Sequence, residues 1–162
     1  MAEQKPLYTP EERRRRDQTP WTLVQGILAP IQFLVFIVST VLVIRFLWAG
    51  EAEWLATASI VVKTLLLYTI MITGCIWEKV VFGKYLFAEA FFWEDVFSML
   101  VLALHTAYLV ALFGQLLDVR QQMLLALAGY LAYVINATQF LLKLRAARLQ
   151  QERDAMLGGA AA

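Results

Sequence analysis

The chain has 162 residues, 60% of them apolar, and a net charge of only +1. Soluble domains carry about 45–50% apolar residues, so a mean hydropathy of +0.62 with few, clustered charges describes an integral membrane protein. The small net charge argues against a nucleic-acid partner. The lone cysteine, Cys75, excludes a disulfide framework, and the lone histidine, His105, excludes a bis-histidine haem site within one chain.

Residues 1–20 read as a polar, basic arm punctuated by Pro6, Pro10 and Pro20. Thr9 is placed to N-cap a short helix, with Pro10 at its first position and Glu12 closing a capping box. Arg13 to Arg16 would meet anionic lipid at the membrane surface. The first twenty residues have no apolar run, so no cleavable signal peptide is expected.

Four spans follow, making an all-α, four-transmembrane-helix bundle over residues 21–148. The first runs from Trp21 to Trp48, kinked at Pro30, with Gln25, Gln32 and Ser39 on one face. Residues 50–53 are a turn, and the second span runs from Trp54 to Val81. Lys63 lies about 13 Å inside that span; it either snorkels to the interface or faces the bundle and meets a partner. The third span, Phe91 to Phe113, carries Glu94, Ser98, Val101, His105 and Tyr108 on one stripe, with Asp95 about 100° round the helix. A polar stripe in a membrane helix faces protein or water, not lipid. The fourth span, Gln121 to Leu142, puts Gly129, Asn136 and Lys143 on one face, with Gln139 beside them. A basic helix end follows, and residues 149–162 are expected to form a polar, disordered tail.

Basic residues set the orientation. The arm holds five Lys or Arg, the central loop two and the C-terminal segment four, against two (Arg45 and Arg120) on the other side. Both termini and the central loop are therefore expected in the cytoplasm. Folding the hairpins at Lys84 and Leu117 predicts equal depths for Lys63 and His105, Thr73 and Asp95, Gln139 and Asp95, and Asn136 and Ser98. One polar layer then lies near the cytoplasmic boundary, and a deeper one holds Lys63 and His105.

The chemistry centres on residues 77–95, where Glu78, Lys79, Lys84, Glu89, Glu94 and Asp95 crowd among aromatic residues. Charge at a membrane boundary is costly and points to function. A neutral carboxylic acid beside an ionised one is a general acid–base pair. Such a pair can protonate an electron-rich double bond and steer a water. Trp77, Tyr85, Phe91, Phe92, Trp93 and Phe97 would supply flat walls for a large conjugated ligand. The plainer alternative is a set of interfacial charges with no substrate, with His105 as a bundle hydrogen-bond partner.

Residues 7–17, 19–26, 77–83, 91–97, 105–108 and 136–145 resemble the vinyl bacteriochlorophyllide hydratase family, over about Leu7 to Arg148. The resemblance implies a hydro-lyase of bacteriochlorophyll synthesis in the inner, photosynthetic membrane. It would add water to the C3 vinyl group of chlorophyllide a or its bacteriochlorin analogue, giving the 1-hydroxyethyl product. Water is the co-substrate, no cofactor is implied, and magnesium enters only within the pigment. Membrane lipid and other enzymes of the same synthesis are the implied partners.

For that reaction Glu94 is the expected acid, with Asp95 or Glu78 as base. Lys79, Lys84 or an arm arginine would hold the propionate. Trp77, Phe91, Trp93, Tyr108, Asn136 and Gln139 would line the substrate. His105 would bind the pigment magnesium axially or hydrogen-bond deep in the pocket. It lies about 16 Å from Glu94 along the helix and so cannot easily serve the same bound pigment. The rival classes are a non-catalytic pigment carrier or assembly factor, binding through His105, and a quinone- or haem-linked membrane protein.

Overall fold

The computed structural model of the chain describes residues 6–159. It contains α1 (Pro10–Gln18), α2 (Pro20–Ala49), α3 (Glu53–Phe82), a 3₁₀ turn (Glu89–Phe91), α4 (Phe92–Gly114) and α5 (Val119–Gly159). No strand occurs among the described residues. The helices α2 to α5 are each long and apolar enough to cross a membrane. Helices satisfy their own backbone polar groups, which the bilayer core demands. Much of their apolar surface points outward, as at Leu34, Val41, Leu65 and Leu131, where lipid would cover it.

The predicted caps form. Glu12 N–H donates to Thr9 Oγ1 at 3.3 Å and Thr9 N–H donates to Glu12 Oε2 at 2.7 Å, so α1 starts in a capping box. Thr19 then ends α1 and caps α2. Helix α2 stays helical from Pro20 to Ala49 with Pro30 inside it. Helix α3 ends at Gly83, whose φ of 83° lies in the left-handed region that glycine enters freely.

Two antiparallel hairpins make the bundle. In the first, α2 and α3 are joined by Gln25 Nε2 donating to Thr73 Oγ1 (2.7 Å), Trp77 Nε1 donating to Thr22 Oγ1 (2.9 Å) and Ser39 Oγ against Ser59 Oγ (2.7 Å). In the second, α4 and α5 meet where Ser98 Oγ donates to Asn136 Oδ1 (3.2 Å) and where Gly129 admits the His105 ring. Ser39 also reaches the Tyr130 hydroxyl and Phe36 packs on Tyr133, which fastens α2 to α5. Tyr68 and Thr106 hydroxyls, 2.8 Å apart, link α3 to α4. The core between them includes Val43, Ile60, Tyr108, Met123 and Tyr130, with a second cluster of Leu67, Val101, Ala132 and Tyr133.

The structure corrects two expectations. Asn136 meets Ser98 as the hairpin register predicts, and Thr73 pairs with Gln25, expected in the same polar layer, but it is Glu78 and not Thr73 that faces Asp95. Residues 83–91 fold back over the bundle, so the central hairpin pivots near Phe87, not Lys84. The segment from residue 149, expected to be a disordered tail, continues α5 as helix to Gly159, because nothing in its sequence breaks the helix before the glycines. Residues 160–162 of that tail lie outside the described residues.

Candidate functional site

The end of the bundle that carries the 83–91 segment also carries most of the predicted site residues. Glu78 stands in the last turns of α3; Glu94 and Asp95 stand in the first turn of α4, where negative charge suits the helix dipole. All three are buried, at 4%, 6% and 6% exposure. Ala88 N–H donates to Glu78 Oε1 at 2.6 Å, and Phe87 N–H donates to Asp95 Oδ2 at 2.7 Å. The Glu78 and Asp95 side chains interact directly with each other. Two carboxyls from different helices thus accept from consecutive amides of one loop.

Glu94 sits differently. Its Oε2 is 2.6 Å from Lys143 Nζ, which also donates to the Ala90 carbonyl and stands 5.3 Å from the centre of the Phe91 ring. Asn136 Nδ2 donates to the Glu94 backbone carbonyl at 2.8 Å, and Ser98 Oγ donates to the same carbonyl at 2.9 Å. Helix α5 thus grips the start of α4 through two side chains. Lys143 was missed as a site residue, although its heptad spacing from Asn136 already placed it on the same face.

The aromatic residues divide into two groups. Phe91, 2% exposed, is core: it packs with Tyr8, Trp77, Phe82 and Phe140. Phe91, expected to line the substrate, is packed into this aromatic cluster. Trp93, by contrast, is 65% exposed and continues through Phe92 to Phe87, with ring centres 5.5 Å and 5.7 Å apart. Tyr85 is exposed nearby, with Lys79 Nζ 5.2 Å from its ring centre and bonded to the Gly83 carbonyl; Lys84 is exposed too. A cleft of about 380 Å³ opens between Pro6, Leu7, Thr9 and Glu12 of the arm and Phe82, Lys84 and Ala88 to Ala90.

His105 and Tyr108 are not part of this cluster. His105 Nδ1 is 2.8 Å from the Val101 carbonyl, its ring lies against Tyr130, and Nε2 meets no hydrogen-bond partner in the structure. Tyr108 is wholly buried in the core. Gln139 is half-buried, with its Oε1 unpartnered, and does not reach Asp95. Among the described residues no group of three or more His, Cys, Asp or Glu side chains is placed to hold a metal ion.

Fold and site together define a small multi-pass α-helical membrane protein with an acid pair buried beneath a loop at one end. No solved structure matches the chain significantly. The family model described as 2-vinyl bacteriochlorophyllide hydratase matches residues 8–146. A 2-vinyl bacteriochlorophyllide hydratase of Rhodobacter capsulatus is 71% identical over 146 residues, covering 90% of this chain and 85% of the relative. One of Cereibacter sphaeroides is 68% identical over 147 residues, covering 90% and 91%. The chain belongs to the 2-vinyl bacteriochlorophyllide hydratase family.

Proposed function

We propose that the chain is the hydro-lyase of bacteriochlorophyll biosynthesis that adds water to the vinyl group of a magnesium chlorophyllide-type tetrapyrrole, and that the Glu78–Asp95 pair is its acid–base centre. The observation that carries the site is that two buried carboxyls, Glu78 of α3 and Asp95 of α4, accept from the consecutive loop amides of Ala88 and Phe87. A proton from the pair goes to the terminal vinyl carbon, and the C=C π electrons form the new C–H bond. The cation left at the inner carbon is delocalised into the macrocycle. Water attacks that carbon, its excess proton returns to the carboxyl pair, and the pair is restored. The sum is one water added across one double bond, with no redox change and no cofactor required.

Exposed aromatic rings of Tyr85, Phe87, Phe92 and Trp93, set at angles to one another, would meet the macrocycle with a face or an edge. Lys79 and Lys84 hold the propionate carboxylate at the rim. Glu94, already paired with Lys143, is not the proton donor. His105 and Tyr108 support the bundle and touch no substrate. Both termini and the 83–91 segment face the cytoplasm in the inner, photosynthetic membrane, where other enzymes of the synthesis hand on the pigment.

The test is conversion of vinyl chlorophyllide by membranes holding equal amounts of each variant, with vinyl and hydroxyethyl pigments separated by chromatography. Glu78→Gln and Asp95→Asn should each slow turnover by about 10²–10⁴-fold, the usual loss with a general acid or base. Wild-type rates in both would remove the pair from the reaction. A deletion strain should accumulate vinyl pigments; normal pigments in smaller amount would instead identify a carrier or assembly factor.

A further inference from the structure

Residues 83–91 are held over the acid pair from three helices at once. Glu78 of α3 takes the Ala88 amide, Asp95 of α4 takes the Phe87 amide, and Lys143 of α5 takes the Ala90 carbonyl. Phe87 has a φ of 59°, a left-handed conformation that a bulky side chain adopts only when its surroundings impose it. The Asp95 carboxylate on its N–H is one such constraint. The other end of the segment is fixed at Ala90, two residues beyond Ala88.

Lys143 is an odd choice for the start of α4. A cation near a helix N-terminus is disfavoured by the helix dipole. The N-cap residue, Phe91, makes no side-chain capping bond that Lys143 could assist. Its position is accounted for by its two partners, the Glu94 carboxylate and the Ala90 carbonyl, one on each side of the junction between the loop and α4. With side-chain exposures of 28% for Lys143 and 8% for Glu94, the pair is shielded enough for its geometry to be firm.

We infer that Lys143 is the positioning residue of the site: with Glu94 it clamps the loop–α4 junction so that Phe87 and Ala88 keep their amides on the Asp95 and Glu78 carboxyls. This rests on the acid–base reading of that pair. Glu94 then acts through Lys143 and not on the substrate. Loss of the clamp leaves Phe92 and Trp93, on α4 itself, to hold the macrocycle, but the loop amides leave the carboxyls and let them drift from the vinyl group. Turnover falls while pigment binding stays.

The experiment measures kcat and KM for vinyl chlorophyllide in membranes carrying Lys143→Met, Lys143→Arg, Glu94→Gln, the double variant Lys143→Met/Glu94→Gln, and Glu78→Gln in parallel. Lys143→Met and Glu94→Gln should each lower kcat by roughly 10–100-fold with KM within about twofold of wild type. Lys143→Arg should restore most of kcat, and the double variant should be no slower than the worse single, because the two residues act as one unit. A wild-type kcat in Lys143→Met, or in the double variant where the single does not accumulate, overturns the proposal. So does a Glu94→Gln loss far deeper than that of Lys143→Met, since Glu94 would then react itself. Full activity in Glu78→Gln sinks the acid–base reading; loss there with Lys143→Met unaffected sinks only the clamp.

Discussion

The Lys63 ammonium lies 3.8 Å from the centre of the Tyr133 ring, fully buried, with no hydrogen-bond acceptor in the structure. Helical position left two readings open, snorkelling or burial, and the structure buries it. The polar partner expected at its depth is replaced by an aromatic face, a weaker substitute for water. His105 occupies the same interior, its Nε2 also unpartnered. A buried amine with no hydrogen-bond partner is a liability, because its lost hydration is not made good, and an apolar side chain of similar shape avoids that cost. Lys63→Met should therefore raise the melting temperature in detergent, at about 2–4 °C for each kcal/mol gained in a chain of this size. A fall of that size would mean that Lys63 holds a polar partner that the protein needs.

At the scale of elements, α4 and α5 fit because one residue is small. A Cβ on Gly129 would stand 3.1 Å from both His105 Cε1 and Nδ1. That ring cannot move aside easily, being tied to the Val101 carbonyl and flanked by Tyr130. Gly129→Ala should cost about 1–3 kcal/mol, the usual penalty of overpacking. Gly26 in α2 is the control: a Cβ there meets nothing within 4 Å. Gly26→Ala should gain up to about 1 kcal/mol of helix propensity. Thermal melts of the two variants should move in opposite directions; an unchanged melting temperature for Gly129→Ala would show that the hairpin has slack.

Over the whole molecule the charges sort by end. Tyr8 packs on Phe82 and Phe91, which brings the arm, with Arg13 to Arg16, against the end that carries Lys79, Lys84 and Lys143. Arg45 and Arg120 mark the opposite end, where Arg45 pairs with Glu51 at 2.7 Å. Basic segments stay in the cytoplasm. Reporter fusions at Gly50 and Leu117 should read periplasmic and one at Lys84 cytoplasmic. A periplasmic signal at Lys84 would invert the molecule and overturn the proposed cytoplasmic placement of the acid pair.

The sequence by itself determined what depends on neighbours along the chain. Composition and length set four spans, Thr9, Pro10 and Glu12 set the first cap, and the helical repeat put Glu94, Ser98, His105 and Tyr108 on one buried stripe. The short turn between α4 and α5 carried the register of that hairpin as far as the contact of Ser98 with Asn136. Only the tertiary structure decided which acids meet. Periodicity tells which face a residue occupies but not what stands across from it. The 83–91 segment has no period to extrapolate, and its fold-back moved the pivot to Phe87 and brought Glu78 to Asp95. The same path buried Phe91 while leaving Trp93 outside, and let Lys143, far along the chain, claim Glu94.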